Sequence, residues 1–154
     1  MPDTQDVISL DQQRAAYAWV CSDVAYTVMD QGKDDFAKYV SLVKSAPALT
    51  MNNGLMQFLA FCRSKLDDNK PNKELRYRLL LMFVLFWLAD DGKAPAIIRN
   101  LTGQGIPLDT QRKLYERMMK FLHGKPASVY REKTMETLEL LKWLKQQADA
   151  RKTL

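Results

Sequence analysis

The chain has 154 residues, 47% hydrophobic and 27% charged, a composition that fits one ordinary globular domain and excludes a disordered, fibrous or disulfide-stapled protein. Lys and Arg outnumber Asp and Glu by 23 to 18, a net charge of +5 that favours acidic partners such as nucleic acid without requiring one. Cys21 and Cys62 lie far apart on apolar helical faces, with neither disulfide nor metal-ligand spacing, and read as reduced core residues of a cytoplasmic protein.

In chain order, residues 1–8 are polar and are predicted to be a mobile tail, as are residues 151–154 at the other end. The opening decapeptide lacks the basic start and apolar run of a signal peptide. A first helix is predicted from Ser9, whose hydroxyl and the Gln12 side chain can each cap the other's N–H. Tyr17, Val20, Cys21, Val24 and Val28 form its core stripe, whereas Trp19, Tyr26 and Met29 point elsewhere, into a sandwiching neighbour or toward a partner. Gln31-Gly32 closes it.

Asp34 and Asp35 favour the start of a second helix carrying Phe36, Ala37, Val40 and Val43. It is predicted to end near Ala46, because Pro47 lacks an N–H and disfavours the α conformation before it. A third helix is predicted from Met51, since Met51, Leu55, Phe58, Leu59 and Cys62 fall on one stripe of a 3.6-residue repeat. Its opposite ridge, Asn53, Gln57, Ala60 and Ser64, is small or uncharged. Gly54 inside that helix costs about 1 kcal/mol relative to Ala, which points to close approach by a neighbouring helix, a partner or an RNA backbone.

Asp67 to Asn72 reads as a solvated loop, with Asn72 as cap of a helix from Lys73 to Ala89. That helix is apolar nearly all round in its second half, as one enclosed by others is. Its apolar run, Leu79 to Ala89, is too short for the roughly 20 residues a membrane span needs. Asp90-Asp91-Gly92 ends it. Ala94 to Asn100 is predicted as a short helix and Leu101 to Leu108 as a connector. Gly103-x-Gly105 within it has no preceding strand and no P-loop lysine, so it is not a phosphate loop.

Asp109 is predicted to cap a helix through Leu122, ended by His123-Gly124 with Pro126 beyond. Leu114, Met118, Phe121 and Leu122 face inward; Lys113, Arg117 and Lys120 line the other side, with Arg112 nearby. The last helix, capped by Ser128, buries Tyr130, Thr134, Thr137, Leu141, Leu144 and Ala148. Its outer side divides into a basic strip, Arg131, Lys142 and Lys145, and an acidic one, Glu132, Glu136 and Glu139 with Trp143. Such strips either join copies or neighbours through complementary charge or form solvated pairs along one helix. The predicted fold is all-α, a compact single-domain bundle of about six helices over residues 1–154.

Catalytic signatures are lacking. His123, the single histidine, sits at a helix C-terminus where a capping role outweighs chemistry. The pairs Asp67-Asp68 and Asp90-Asp91 diverge at adjacent positions and make poor acid/base dyads. No catalytic residue, metal site or cofactor is predicted.

The blocks Ser41-Leu42-Val43-Lys44-Ser45-Ala46-Pro47-Ala48-Leu49, Asn53-Gly54-Leu55, Gln57, Leu59-Ala60-Phe61 and Ser64-Lys65 resemble the small subunit of the type III-B (Cmr) CRISPR effector complex. Arg14-Ala15-Ala16-Tyr17-Ala18 is similar to that family's opening helix. Thr134, Glu136, Leu138, Leu140-Leu141, Trp143-Leu144-Lys145 and Ala148 are similar to its closing one. Met56 and Thr50 depart from the pattern, where Gly and Ile are more usual. The resemblance implies a non-enzymatic subunit that stacks in several copies beside the filament of guide-holding subunits and lines the groove where crRNA pairs with target RNA. It implies no membrane, metal, cofactor or small-molecule substrate.

Lys44, Arg63, Lys65, Lys142 and Lys145, basic and in or near the matching blocks, are the first candidates for RNA backbone contact. Lys113, Arg117 and Lys120 are the second, chosen by charge pattern. Trp19, Tyr26, Gln57 and Trp143 are candidates for subunit contact. Two other readings stay open: a small all-α enzyme in which Arg14, Lys44, Arg63 and Gln57 converge on a carboxylated metabolite, and a free-standing helical nucleic-acid-binding regulator. A closed pocket lined by those four residues favours the enzyme, an open basic face the RNA-binding subunit.

Overall fold

A computed structural model describes residues 7–29, 35–89, 98–101, 105 and 107–154. The elements are α1 (Leu10–Met29), α2 (Asp35–Asn53), α3 (Leu55–Ser64), α4 (Leu75–Leu88), α5 (Leu108–His123) and α6 (Ala127–Lys152), with a further helical turn at residues 98–101. Among the described residues there is no strand. The expected all-α bundle is observed. Predicted features at Gln31-Gly32, Asp34, Asp90-Asp91-Gly92, Gly103 and most of the 1–8 tail lie outside the described residues, as does the first part of the Ala94–Asn100 helix.

α4 is the axis of the bundle. Every residue from Arg78 to Leu88 is buried, because α1, α2, α3, α5 and α6 all contact this one helix. An apolar run with no polar face can persist in water only inside such a sheath. The Tyr17 hydroxyl of α1 donates to the Phe83 carbonyl at 2.6 Å, joining α1 to the middle of the axis. Cys21 and Cys62 are both buried free thiols, as expected. Burial pushes Cys62 up to about 12, so it stays a neutral core residue.

α6 lies along α1 and α2, and its contacts with α1 begin with a half-buried network. Arg14 donates to both carboxylate oxygens of Glu136, at 2.7 and 2.8 Å, and the Trp87 indole N–H donates to Glu136 at 3.1 Å. Burial pushes the Glu136 carboxyl up, but the hydrogen bonds from Arg14 and Trp87 outweigh it and hold the group below its usual range. Farther along, Gln147 donates to the Ala15 carbonyl at 3.1 Å and Arg151 pairs with Asp23 at 3.4 Å. Residues 151–154, expected as a tail, therefore begin inside α6, with Arg151 anchored.

The expected break at Pro47 does not occur. α2 runs straight through it to Asn53, and the chain turns instead at Gly54, with φ +85°. Proline removes one backbone rung, but Val43 and Ala46 before it and Thr50 after it are buried on one continuous face, which sustains the helix. The Thr50 hydroxyl donates to the Ala46 carbonyl at 2.9 Å across the proline. Met51, assigned to the inward stripe of α3, is 72% exposed at the end of α2, whereas Leu55, Phe58, Leu59 and Cys62 are buried as predicted.

The close approach read from Gly54 is real, and the neighbour is a helix of the same domain. A Cβ at Gly54 would sit 2.9 Å from the Tyr130 hydroxyl of α6, and that hydroxyl accepts from the Met56 N–H at 3.1 Å. Gly54→Ala combines a positive φ with this contact and is expected to lower stability by about 1–2 kcal/mol, measured by urea unfolding. An unchanged midpoint would show that the turn tolerates a side chain.

Helix starts departed most from expectation. The Ser9–Gln12 capping box forms in both directions, Ser9 N–H to Gln12 at 2.8 Å and Gln12 N–H to the Ser9 hydroxyl at 3.1 Å. The other predicted caps do not. α4 begins after Glu74, in the left-handed region at φ 56°, instead of after Asn72. Pro107 and Pro126 occupy the N-cap positions of α5 and α6, leaving Asp109 and Ser128 inside the first turn. Proline's fixed φ is preorganised for a helix start, and its missing N–H leaves nothing unsatisfied there.

Candidate nucleic-acid interface

Three of the predicted RNA-contact cations are held by exposed carboxylates. Lys44 reaches Asp149 of α6 at 3.1 Å, Lys113 reaches Asp109 at 2.9 Å and Lys142 reaches Glu139 at 2.9 Å. Pairs this exposed contribute little to stability, so each cation can exchange its carboxylate for a phosphate at little cost. Lys145 is half-buried on α6, Lys120 is exposed on α5, and Arg117 lines an apolar recess with Leu88, Leu114, Met118, Phe121 and Lys133.

Arg63 is different. It grips Asp68 with two hydrogen bonds, at 2.9 and 3.3 Å, and the same carboxylate receives the fully buried Arg78 at 3.2 Å. Gln111 of α5 completes the cluster: its amide oxygen accepts from Arg78 at 2.9 Å and its N–H donates to the Arg78 carbonyl at 2.9 Å. The hydrogen bond from Arg63 holds the Asp68 carboxyl below its ordinary range; burial opposes it, and the charge of Arg63 and the Arg78 contact add to the lowering. Two guanidiniums on one carboxylate make this a structural clamp closing the loop between α3 and α4.

Lys65 stands on the outer side of that loop, 5.0 Å from the Phe61 ring centre and 6.0 Å from that of Tyr77. Phe61 and Tyr77 meet edge to face at 5.8 Å, and the Arg76 guanidinium lies 5.1 Å from the Tyr77 ring. Phe61 is 38% exposed, although its neighbours Phe58, Leu59 and Cys62 are at most 1% exposed. Between Gln57 and Arg78 there are six basic and three acidic residues, so this hairpin of α3 and α4 holds a net +3 of the chain's +5. Phe61, Tyr77 and Arg76 were not among the candidates read from sequence. Residue type on a helical wheel did not reveal them, because their proximity depends on how the loop folds α4 back onto α3.

Of the residues proposed for subunit contact, Trp19 and Gln57 face outward. Tyr26 and Trp143 have partners inside the chain: Arg151 lies 3.8 Å from the Tyr26 ring centre, Phe36 meets that ring edge-on at 5.3 Å, and the Trp143 indole N–H donates to Asp11 at 2.9 Å. Arg14, Lys44 and Arg63, which an enzyme site needs together, are each turned to a different carboxylate. The cleft holding Arg14 is lined by Glu132, Lys133, Met135, Glu136 and Glu139, and by neither Lys44, Arg63 nor Gln57. No group of three or more His, Cys, Asp or Glu side chains suited to a metal ion occurs among the described residues. Nor is any described helix long and apolar enough to cross a membrane.

The comparison with protein families decides the family the resemblance pointed to: the family described as CRISPR-associated protein (Cas_Cmr5) matches residues 10–151. The chain belongs to this family. As a Cmr5-family protein it is a subunit type of the CRISPR Cmr complex, associated with other subunits of that complex. The match starts at the first residue of α1 and ends one residue before the end of α6, so the whole helical bundle is the family's domain.

Proposed function

We propose that this chain is the small, non-catalytic subunit of a type III-B RNA-guided effector complex in the cytoplasm. Several copies stack beside the guide-holding filament, and their basic side chains hold the paired crRNA and target RNA by the phosphate backbone. The family match over residues 10–151 carries this reading. It is supported by cations whose present partners are weak and exposed: Lys44, Lys113 and Lys142, with Lys65 and Lys120 beside them. Arg63, Arg117 and Lys145 complete the set, Arg63 with the least freedom because Asp68 holds it at two points. Trp19 and Gln57 are the outward residues suited to subunit contact, and Tyr26 and Trp143 contribute through the exposed parts of their rings.

The test is to tag the protein in its native host, recover it at mild salt and identify the proteins and RNAs that accompany it. Co-recovery of several CRISPR-associated subunits with a guide RNA of defined length is the expected result. Recovery of the chain alone would overturn it. The double exchange Lys142→Glu and Lys145→Glu, made in the same complex, is expected to weaken target RNA binding about tenfold or more and to flatten its salt dependence, since each lost phosphate contact removes a released counterion. Unchanged assembly and target binding would remove this strip from the interface.

A further inference from the structure

The hairpin of α3 and α4 carries a feature that phosphate binding does not need. A purely electrostatic surface requires cations; this one also leaves an aromatic ring partly in water beside them. Phe61 is 38% exposed and meets Tyr77 edge to face at 5.8 Å, and Lys65 and Arg76 flank the pair at 5.0 and 5.1 Å from the Phe61 and Tyr77 ring centres. The acids nearby are largely engaged: Asp68 by Arg63 and Arg78, Glu74 by Arg76 at 3.2 Å. Along α3, Gln57, Ala60 and Ser64 continue the same exposed side without charge or bulk, so a polynucleotide backbone can lie close to the helix.

Bases inside a duplex are already stacked on one another and cannot use such a ring. An unpaired base can, because its π-face is free and its two flanking phosphates lie on either side of it. We propose that Phe61 and Tyr77 form a stacking platform for an unpaired base of single-stranded RNA, with Lys65 and Arg76 on the adjoining phosphates. The platform rests on the reading of this protein as an RNA-holding subunit and extends it: one face of the subunit takes up RNA that has left, or not yet entered, the guide–target duplex. A protein partner with an acidic, aromatic segment is the competing occupant. A cation over each of two paired rings, Lys65 at Phe61 and Arg76 at Tyr77, matches a base between phosphates better than a folded partner's side chain.

The full-length chain is titrated into a short single-stranded RNA carrying one 2-aminopurine, and separately into an RNA duplex of the same length, over a series of salt concentrations. Stacking is read as quenching of the 2-aminopurine. Phe61→Leu is expected to abolish the quench and to weaken single-strand binding about tenfold, the loss of one base–aromatic stack, while duplex binding stays within about twofold. Phe61→Tyr keeps a π-face and is expected to retain both signals. Lys65→Gln weakens both RNAs and lowers the salt slope by about 0.7–0.9, the signature of one phosphate contact.

The inference is overturned if Phe61→Leu binds single strands like the parent, if it loses both RNAs equally, or if the full-length chain binds no single-stranded RNA. It is also overturned if Phe61→Leu leaves RNA binding unchanged but no longer recovers the other complex subunits, which makes the ring a protein contact. That last result leaves the effector-subunit reading standing, whereas recovery of the unaltered chain with no subunit or RNA removes that reading independently. Thermal unfolding of each variant, expected to match the parent for so exposed a side chain, shows that any loss is local.

Discussion

Phe83→Ala is expected to lower stability by about 3–5 kcal/mol, the range for deleting a fully buried aromatic side chain. Phe83 has no exposure, meets Tyr39 edge-on at 6.1 Å and receives the Tyr17 hydroxyl on its carbonyl. Because α4 is wrapped by five other helices, no surface is free to collapse into the vacated space. For a domain of this size such a loss lowers Tm by roughly 10–15 °C, measured by calorimetry or by circular dichroism. A loss below about 1 kcal/mol would mean that α4 is not the enclosed axis, since that is the scale of peripheral substitutions. Phe61→Leu, by contrast, is expected to change binding and leave stability near that of the parent.

Asp68→Ala is the second large effect. It leaves Arg78, which has no exposure, with only the Asp67 carbonyl and the Gln111 side chain as partners, and releases Arg63. Breaking a charge pair from one side costs most when the survivor is buried, and here Asp68 itself is 28% exposed, so about 2–3 kcal/mol is expected. The pH dependence follows from the direction of the shift. With the folded carboxyl held below its unfolded value of about 3.9, the contribution is fully present above that value and is lost as pH falls through the lower folded one. The parent and Asp68→Ala should therefore differ by a constant amount from pH 5 to 7 and converge in acid. A difference that persisted unchanged at pH 2 would assign the loss to packing instead of charge. Asp68→Asn, which keeps the shape and part of the hydrogen bonding, should fall between the two.

How much of this was legible in the sequence depended on the range of the interaction. Most of the buried faces of α1 and α3 follow from apolar spacing alone, because each residue's inward position is fixed by its neighbours three and four places away, although Met29, expected to point elsewhere, is buried. Ser9 and Gln12 were legible for the same reason: the capping box closes within one turn. Pro47 misled because its local cost is real but smaller than the burial that Val43, Ala46 and Thr50 gain by keeping one straight helix. Asn53-Gly54, placed inside a helix, was the true turn. Asp109 and Ser128 looked like caps, and the prolines before them took the position, a competition that residue preference alone does not resolve.

The site divided along similar lines. Lys113 with Asp109 and Lys142 with Glu139 could be inferred from spacing on one helix. Lys44 with Asp149, or Arg14 with Glu136, could not, because no local rule joins residues more than a hundred positions apart. The Phe61, Tyr77, Lys65 and Arg76 cluster lay between these cases. Its members are close in sequence, but the turn that brings them together ends at a left-handed Glu74, a conformation that glutamate does not announce.

The pairing of α1 with α6 also bears on how the protein is made. The two helices are joined by hydrogen bonds between residues 122 to 132 positions apart, so the part of α1 and α2 that α6 covers gains that cover only after α5 has been made. Local contacts such as those of α2 with α3 and of α3 with α4 need no such separation, whereas the pairing of α1 with α6 does. During translation the nascent chain therefore displays a long apolar surface that an assembling complex or a chaperone can meet before the bundle seals. Removing α6 would uncover the faces of α1 and α2 that it packs against, which ties completion of the buried core to the C-terminal helix.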